Sequence, residues 1–224
     1  MKIREHQMYE LSAARKLQDE CVKLNMLSPP VLHWSYDIKN AQGETMEIGR
    51  GKANSFTRNA LNMLAYTVGV PQPDIVSAYY FKDGYISLKN TSGGLAASTS
   101  QTSIADISST SCHLLVLGSG TATESLDSYA LAGEISTGWT IGTTTRVSAF
   151  NSTTRKLVTT ITRTFTNNTG SSVDIKESGV TQRIWVPSSY HSALMIYDTF
   201  DAIAVADGAA IAWTYTIEVA YPQP

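Results

Sequence analysis

Strict two-residue alternation is the feature that most limits what this chain can fold into. Leu157, Thr159, Ile161, Arg163 and Phe165 alternate with Val158, Thr160, Thr162, Thr164 and Thr166. Near the end, Ile211, Trp213, Tyr215, Ile217 and Val219 alternate with Ala212, Thr214, Thr216, Glu218 and Ala220. A period of two sends successive side chains to opposite faces of a strand and cannot form a helical stripe. Both segments are rich in β-branched and aromatic residues, which suit a pleated surface. Asn167-Asn168-Thr169-Gly170 predicts a turn after the first, with Val173, Ile175 and Glu177 returning as its partner strand. Asp207-Gly208 predicts the turn into the last strand, and Ile184-Trp185-Val186 and Leu194-Met195-Ile196-Tyr197 predict two more.

Upstream, Val31 to Ile38 alternates, Asn40 to Glu44 reads as a hairpin turn, and Thr45 to Arg50 can return. Val76 to Phe81 and Tyr85 to Leu88 read as strands around the turn Lys82-Asp83-Gly84. His113 to Leu117 is apolar enough for a buried strand, ended by Gly118-Ser119-Gly120. Short, alternating, evenly spaced strands predict a mainly β fold, an antiparallel β-sandwich or jelly-roll-like body.

Two stretches carry helical spacing instead. Met8, Leu11, Leu17, Cys21 and Leu24 recur at helical steps, and Ser28-Pro29-Pro30 stops the pattern. Phe56, Leu61, Leu64 and Val68 predict a second short helix, capped by Asn54 or Ser55 and ended at Gly69-Val70-Pro71. The predicted organisation is an N-terminal helical extension over 1–30, a strand–turn–helix connecting segment over 31–73, and a β-sandwich body over 74–224. Within that body, residues 90–111 are rich in Ser, Thr, Ala and Gly and lack aromatics, which predicts a long arm.

Charged residues make up 16% of the chain, against roughly 25% in an average soluble protein. Hydroxyls take their place: 51 of the 224 residues are serine or threonine. Such a surface is polar without being strongly hydrated, which suits packing against neighbours. The formal net charge of −2 argues against specific nucleic-acid binding, which needs clustered Lys and Arg. No apolar run approaches the ~18 residues of a membrane helix. The charged start, Met1 to His6, is unlike a secretion signal and predicts folding in a cytoplasm. Cys21 and Cys112 are too few for a thiolate metal site and read as reduced thiols, with a single disulfide as the alternative.

Chemistry leaves little trace. Gly118-Ser119-Gly120 follows a strand, but Thr123 stands where a dinucleotide fingerprint needs its third glycine. There is no GxSxG, and His6, His33, His113 and His191 have no metal-ligand spacing. Asp198, Asp201 and Glu177 would have to meet across one cleft to serve a glycosidase. No catalytic, cofactor or metal residue is therefore assigned. The candidate assembly surface is the stripe Met8, Leu11, Leu17 and Leu24, together with the basic residues Arg50, Lys52 and Arg58. Trp139, Trp185, Tyr190 and His191 are the candidate ligand contacts, with His191 read as a loop residue.

Three stretches carry a resemblance. Leu114 to Ala122 continues through Leu126-Asp127-Ser128-Tyr129-Ala130-Leu131, and Thr162 to Gly170 leads to Val173 through Gly179. With Ser55-Phe56-Thr57-Arg58-Asn59, they resemble a class of tailed-bacteriophage virion structural proteins. In that class an apolar strand ends in a VGTG-like turn, and a TRTFTN-x-SG hairpin leads to an E-x-G strand end. Ser119 departs from the usual threonine. The resemblance implies a head, tail or fibre component made in the bacterial host cytoplasm and built into the virion. Its partners would be copies of itself and other virion proteins, and it implies no catalytic residues. The alternative is a fibre or spike module that binds host cell-surface glycan, and a polysaccharide depolymerase is a third reading.

Overall fold

The computed structural model describes residues 2–5, 16, 19–20, 23–24, 30–53, 56–57, 60, 86–89, 95–98, 113–123, 128–186 and 189–221. The fold is mainly β, with sheets built almost wholly from antiparallel pairs. The chain forms two compact units, each assembled from separate segments: 1–54, 136–173 and 204–224 in one, 55–135 and 174–203 in the other.

The first unit is a seven-stranded sheet. In chain order its strands are β1 (Lys2–Glu5), β2 (Val31–Lys39), β3 (Thr45–Lys52), β7 (Trp139–Ile141), β8 (Thr145–Asn151), β9 (Lys156–Asn167) and β12 (Ala210–Ala220). In space the order is β1-β3-β2-β12-β9-β7, with β8 also paired to β9. The final strand is thus central: Trp213 pairs with Tyr36 on one side and Arg163 on the other. One face of these strands carries Trp34, Tyr36, Ile38, Ile161, Phe165, Ile211, Trp213 and Tyr215, all buried. The rings of Trp34 and Trp213 stack at 5.0 Å, and those of Tyr36 and Trp213 at 5.6 Å. Across from Tyr36 and Trp34, β3 presents Gly49 and Gly51. A Cβ at Gly51 would lie 2.9 Å from Trp34 Cε2, so the aromatic rings occupy the space that side chains there would fill. The opposite face is hydroxylated, and Thr162 and Thr214 hydrogen-bond across strands at 2.8 Å.

The β2–β3 hairpin forms as its turn chemistry predicts. Asn40 Oδ1 accepts from the N–H groups of Gln42 and Glu44, and Gly43 takes a φ of 82°.

The second unit contains β4 (Ile86–Lys89), β5 (Leu95–Ser98), β6 (His113–Gly118), β10 (Val173–Val186) and β11 (Ser189–Val205). The first residue of β10 and the last two of β11 count with the first unit. β11, β10 and β6 form one sheet in that order, and β4 pairs with β5. Leu115, Val116 and Leu117 are all buried, as an unbroken apolar run requires of a strand covered on both faces. Val116, Leu131, Leu194 and Tyr197 pack as one cluster.

Several expectations are corrected. The segment after Asn167 does not return along β9, because β9 pairs with β12, β7 and β8, whereas β10 pairs with β6 and β11. The physical reason lies at Asn167, which redirects the chain. Its Nδ2 donates to the carbonyls of Ser171 (2.7 Å) and Val205 (2.8 Å). Its Oδ1 accepts from the N–H and hydroxyl of Thr169 at 3.0 and 2.8 Å. Gly170 N–H is held by Asp207 Oδ1 at 2.8 Å, which ties this turn to the one before β12. We expect Asn167→Ala to lower stability by about 1–3 kcal/mol, since it removes the amide donor to the buried Val205 carbonyl and the acceptor of Thr169 N–H, and urea unfolding will measure this.

The N-terminal helical extension is not supported. Residues 2–5 are a strand parallel to β3, and among the described residues of 6–30 only Lys16, Asp19, Glu20 and Lys23 are helical, with Leu24 N–H donating to Glu20 C=O at 3.0 Å. The start of the second expected helix is also corrected. Phe56 bridges to Ile196, and Thr57 N–H donates to Met195 C=O at 2.9 Å, because main-chain pairing with β11 satisfies these groups. Of the remainder of that helix only Ala60 is described, and it is helical. Part of the expected arm is strand, since β5 pairs with β4 from Lys89↔Leu95 to Ile86↔Ser98. The strand at 76–81 and both cysteines fall outside the described residues.

Candidate functional site

The most highly organised polar group in the second unit is the carboxylate of Glu177, which is 0% exposed. Three segments converge on it. β6 ends at Gly118, directly across from Glu177 in β10. Beyond the intervening loop, Gly118 bridges to Glu134, Ser119 N–H donates to Gly133 C=O at 2.9 Å, and Ile135 N–H donates to Leu117 C=O at 3.0 Å. The stretch 131–135 is thereby laid beside the end of β6.

Inside this fold-back, Glu177 Oε1 accepts from the N–H groups of Gly120 (3.0 Å) and Gly133 (2.7 Å). Oε2 accepts from Ala132 N–H (3.0 Å) and from the hydroxyl of Tyr197 on β11 (2.9 Å). An ionised carboxylate has about four acceptor positions, and all of them are used. The glycines leave room for it. A Cβ at Gly118 would lie 2.7 Å from Glu177 Cγ, and one at Gly120 would lie 2.7 Å from both Ala132 Cβ and Gly133 N. The arrangement is an anion-binding nest of backbone N–H groups, filled by the protein's own side chain.

Chemically, this is a clip. The carboxylate, with four donors on its two oxygens and no exposure, joins β10 to β11, to the end of β6 and to the stretch 131–135. Asp198 is also buried while Asp201 is exposed, so these neighbours on β11 sit in opposite environments. The role of Glu177 was missed from sequence, where it reads as a strand residue, as part of the strand end that carries the resemblance and as one acid of a possible pair. The signal lay in the glycines at 118, 120 and 179. Gly179, two residues on, would place a Cβ 2.7 Å from Leu194 Cδ1 and 2.8 Å from Ile196 C=O.

Of the other candidate residues, Arg50 and Lys52 stand two positions apart on β3. Arg50 is exposed on β3 opposite Ser35, and Lys52 is half-buried opposite His33. Leu24 is 69% exposed. Met8, Leu11, Leu17 and Arg58 lie outside the described residues. Trp139 is half-buried on β7, opposite Asn167. Trp185 lies on β10, and Tyr190 and His191 on β11, so His191 is a strand residue rather than a loop residue. Their side chains lie outside what is described. Among the described residues no cluster of His, Cys, Asp and Glu could hold a metal ion, and no helix is long and apolar enough to cross a membrane.

No protein-family model matches the chain, and no curated protein or solved structure is significantly similar to it.

Proposed function

We propose that this chain is a structural component of a tailed-bacteriophage virion, with a sandwich-like β body that assembles as a symmetric oligomer and stabilises the particle. The observation that carries the reading is the clip at Glu177. The stretches 114–122 and 173–179, which carry the resemblance to virion proteins, are the ones that supply the carboxylate and two of the glycines around it. Their residues are thus explained as scaffold, the role the resemblance implies. The threonine-rich sheet face and an exposed edge strand add surface suited to packing against copies.

The test is made on the parent particle. Mass spectrometry of gradient-purified virions should find the chain in multiple copies, and gold-labelled antibody should mark one position on every particle. Absence from purified particles would overturn the reading. The rival reading, glycan binding, now has Trp139 as the one candidate contact whose side chain is described. A glycan array without hits would remove it.

A further inference from the structure

Strand β8 lies on the outer side of β9, from Thr145↔Thr162 to Asn151↔Lys156. All seven of its residues are exposed. Val147 is 64% and Phe150 54% exposed, although each is a large apolar side chain on a strand. Tyr221 meets Phe150 edge-on at 5.8 Å and extends the apolar surface. Among the described residues, no strand pairs with the outer edge of β8. Edge strands are ordinarily blunted by proline, lysine, inward charges or bulges. Thr145-Arg146-Val147-Ser148-Ala149-Phe150-Asn151 contains no proline, glycine, lysine or acid.

We propose that β8 pairs antiparallel with β8 of a second copy, about a two-fold axis through Ser148, making one sheet continuous across both chains. The occupant follows from the strand's own charge and side-chain order. Residues opposite each other in an antiparallel pair share a face. A two-fold axis normal to the sheet must therefore pass through a residue, and the axis at Ser148 is the one that pairs all seven. It sets Arg146 of each copy across from Phe150 of the other, a cation–π pair made twice. Val147 falls across from Ala149, and Thr145 from Asn151. The two arginines then stand four residues apart along the strand, about 13 Å, beyond the ~8 Å screening length of physiological salt. A parallel pairing would oppose Arg146 to Arg146, and like charges directly across a ladder repel. The strand is self-complementary in this single register.

The pairing does not depend on the virion reading and can be tested apart from it. In full-length protein with Cys21 and Cys112 replaced by serine, Ser148→Cys places two thiols across the axis, within disulfide reach. Mild oxidation should convert most of the chain to a covalent dimer on a non-reducing gel. Thr145→Cys, which faces Asn151, should give none. By light scattering the unmodified chain should have at least twice the monomer mass, and Phe150→Asp should lower that mass by breaking the pairing. Equal trapping of the two cysteine variants, or no trapping of Ser148→Cys, would overturn the proposal even if Phe150→Asp failed to fold. An oligomer in which Ser148→Cys does not trap would remove edge pairing and leave the assembly reading standing. A trapped dimer from a chain absent from virions would support the pairing and remove the virion reading.

Discussion

Glu177→Ala is expected to be the most destabilising single change in the second unit. It removes the only acceptors described for three backbone N–H groups, those of Gly120, Ala132 and Gly133, and takes a partner from the Tyr197 hydroxyl. A buried donor left unsatisfied costs about 1–3 kcal/mol. Water entering the vacated space recovers part of that sum, so the expected loss is about 4 kcal/mol or more. Set against a typical domain stability of about 5–15 kcal/mol, this is enough to populate the unfolded unit. Glu177→Gln is the sharper probe, because it keeps the shape while replacing one accepting oxygen with an NH2 group. Turned toward Oε1 the amide donor meets two N–H donors, and turned toward Oε2 it meets the Ala132 N–H and the Tyr197 hydroxyl, which can rotate to accept; the expected loss is about 1–3 kcal/mol. Glu177→Asp keeps the charge but is one methylene short of the nest and should fall between wild type and alanine. Urea unfolding followed by circular dichroism ranks the series. A Gln variant as stable as wild type would mean that the carboxylate is not what holds the turn.

Trp213→Ala should produce a comparable loss in the first unit. Trp213 is fully buried at the centre of β12, stacked on Trp34 with an interplanar angle of 28° and on Tyr36 with an angle of 11°. Truncating a buried tryptophan typically costs about 3–5 kcal/mol in lost burial and cavity formation. Each lost stacking contact adds about 0.5–1.5 kcal/mol beyond area. Because Tyr36 and Trp34 lie over Gly49 and Gly51, the cavity reaches toward β3, and Gly49→Ala should be tolerated better in the Trp213→Ala background than alone. Denaturant midpoints of the two single variants and the double variant measure that coupling. Strict additivity would count against a shared aromatic layer.

Both effects arise from one principle. Glycines in one strand leave space that rings from the next can fill, and several N–H groups pointing into one loop need an acceptor. The chain meets the first need with Trp34, Tyr36 and Trp213, and the second with Glu177.

The alternating strands were legible from sequence because their signal is local. Period two in 157–166 and 211–220 reports one covered face, and Ile211, Trp213 and Tyr215 are buried as that pattern requires. Turn chemistry was equally local, as at Asn40 to Gly43 and at Gly208, which takes a φ of 74°. The Glu177 clip was not legible as a site, since its partners lie 57, 44 and 45 positions away in sequence. The glycines that admit the carboxylate look like ordinary turn residues until the loop has folded back over them. Phe56 misled for a related reason: its helical spacing with Leu61 and Leu64 is real, but main-chain bonds to β11 claim its neighbourhood.

Sequence by itself determined that this chain is built from strands, which side chains of the long ones face inward, and where several turns fall. Each of these depends on residues within a few positions of one another. Tertiary structure alone decided the partners. β2 pairs with β12 from Lys39↔Ala210 to Val31↔Glu218, β1 runs parallel to β3, and β9 and β10 part at Asn167 into different sheets. An apolar face and a row of backbone hydrogen-bonding groups demand cover without specifying whose. That choice is made by the closest packing of distant segments, and no local pattern encodes it.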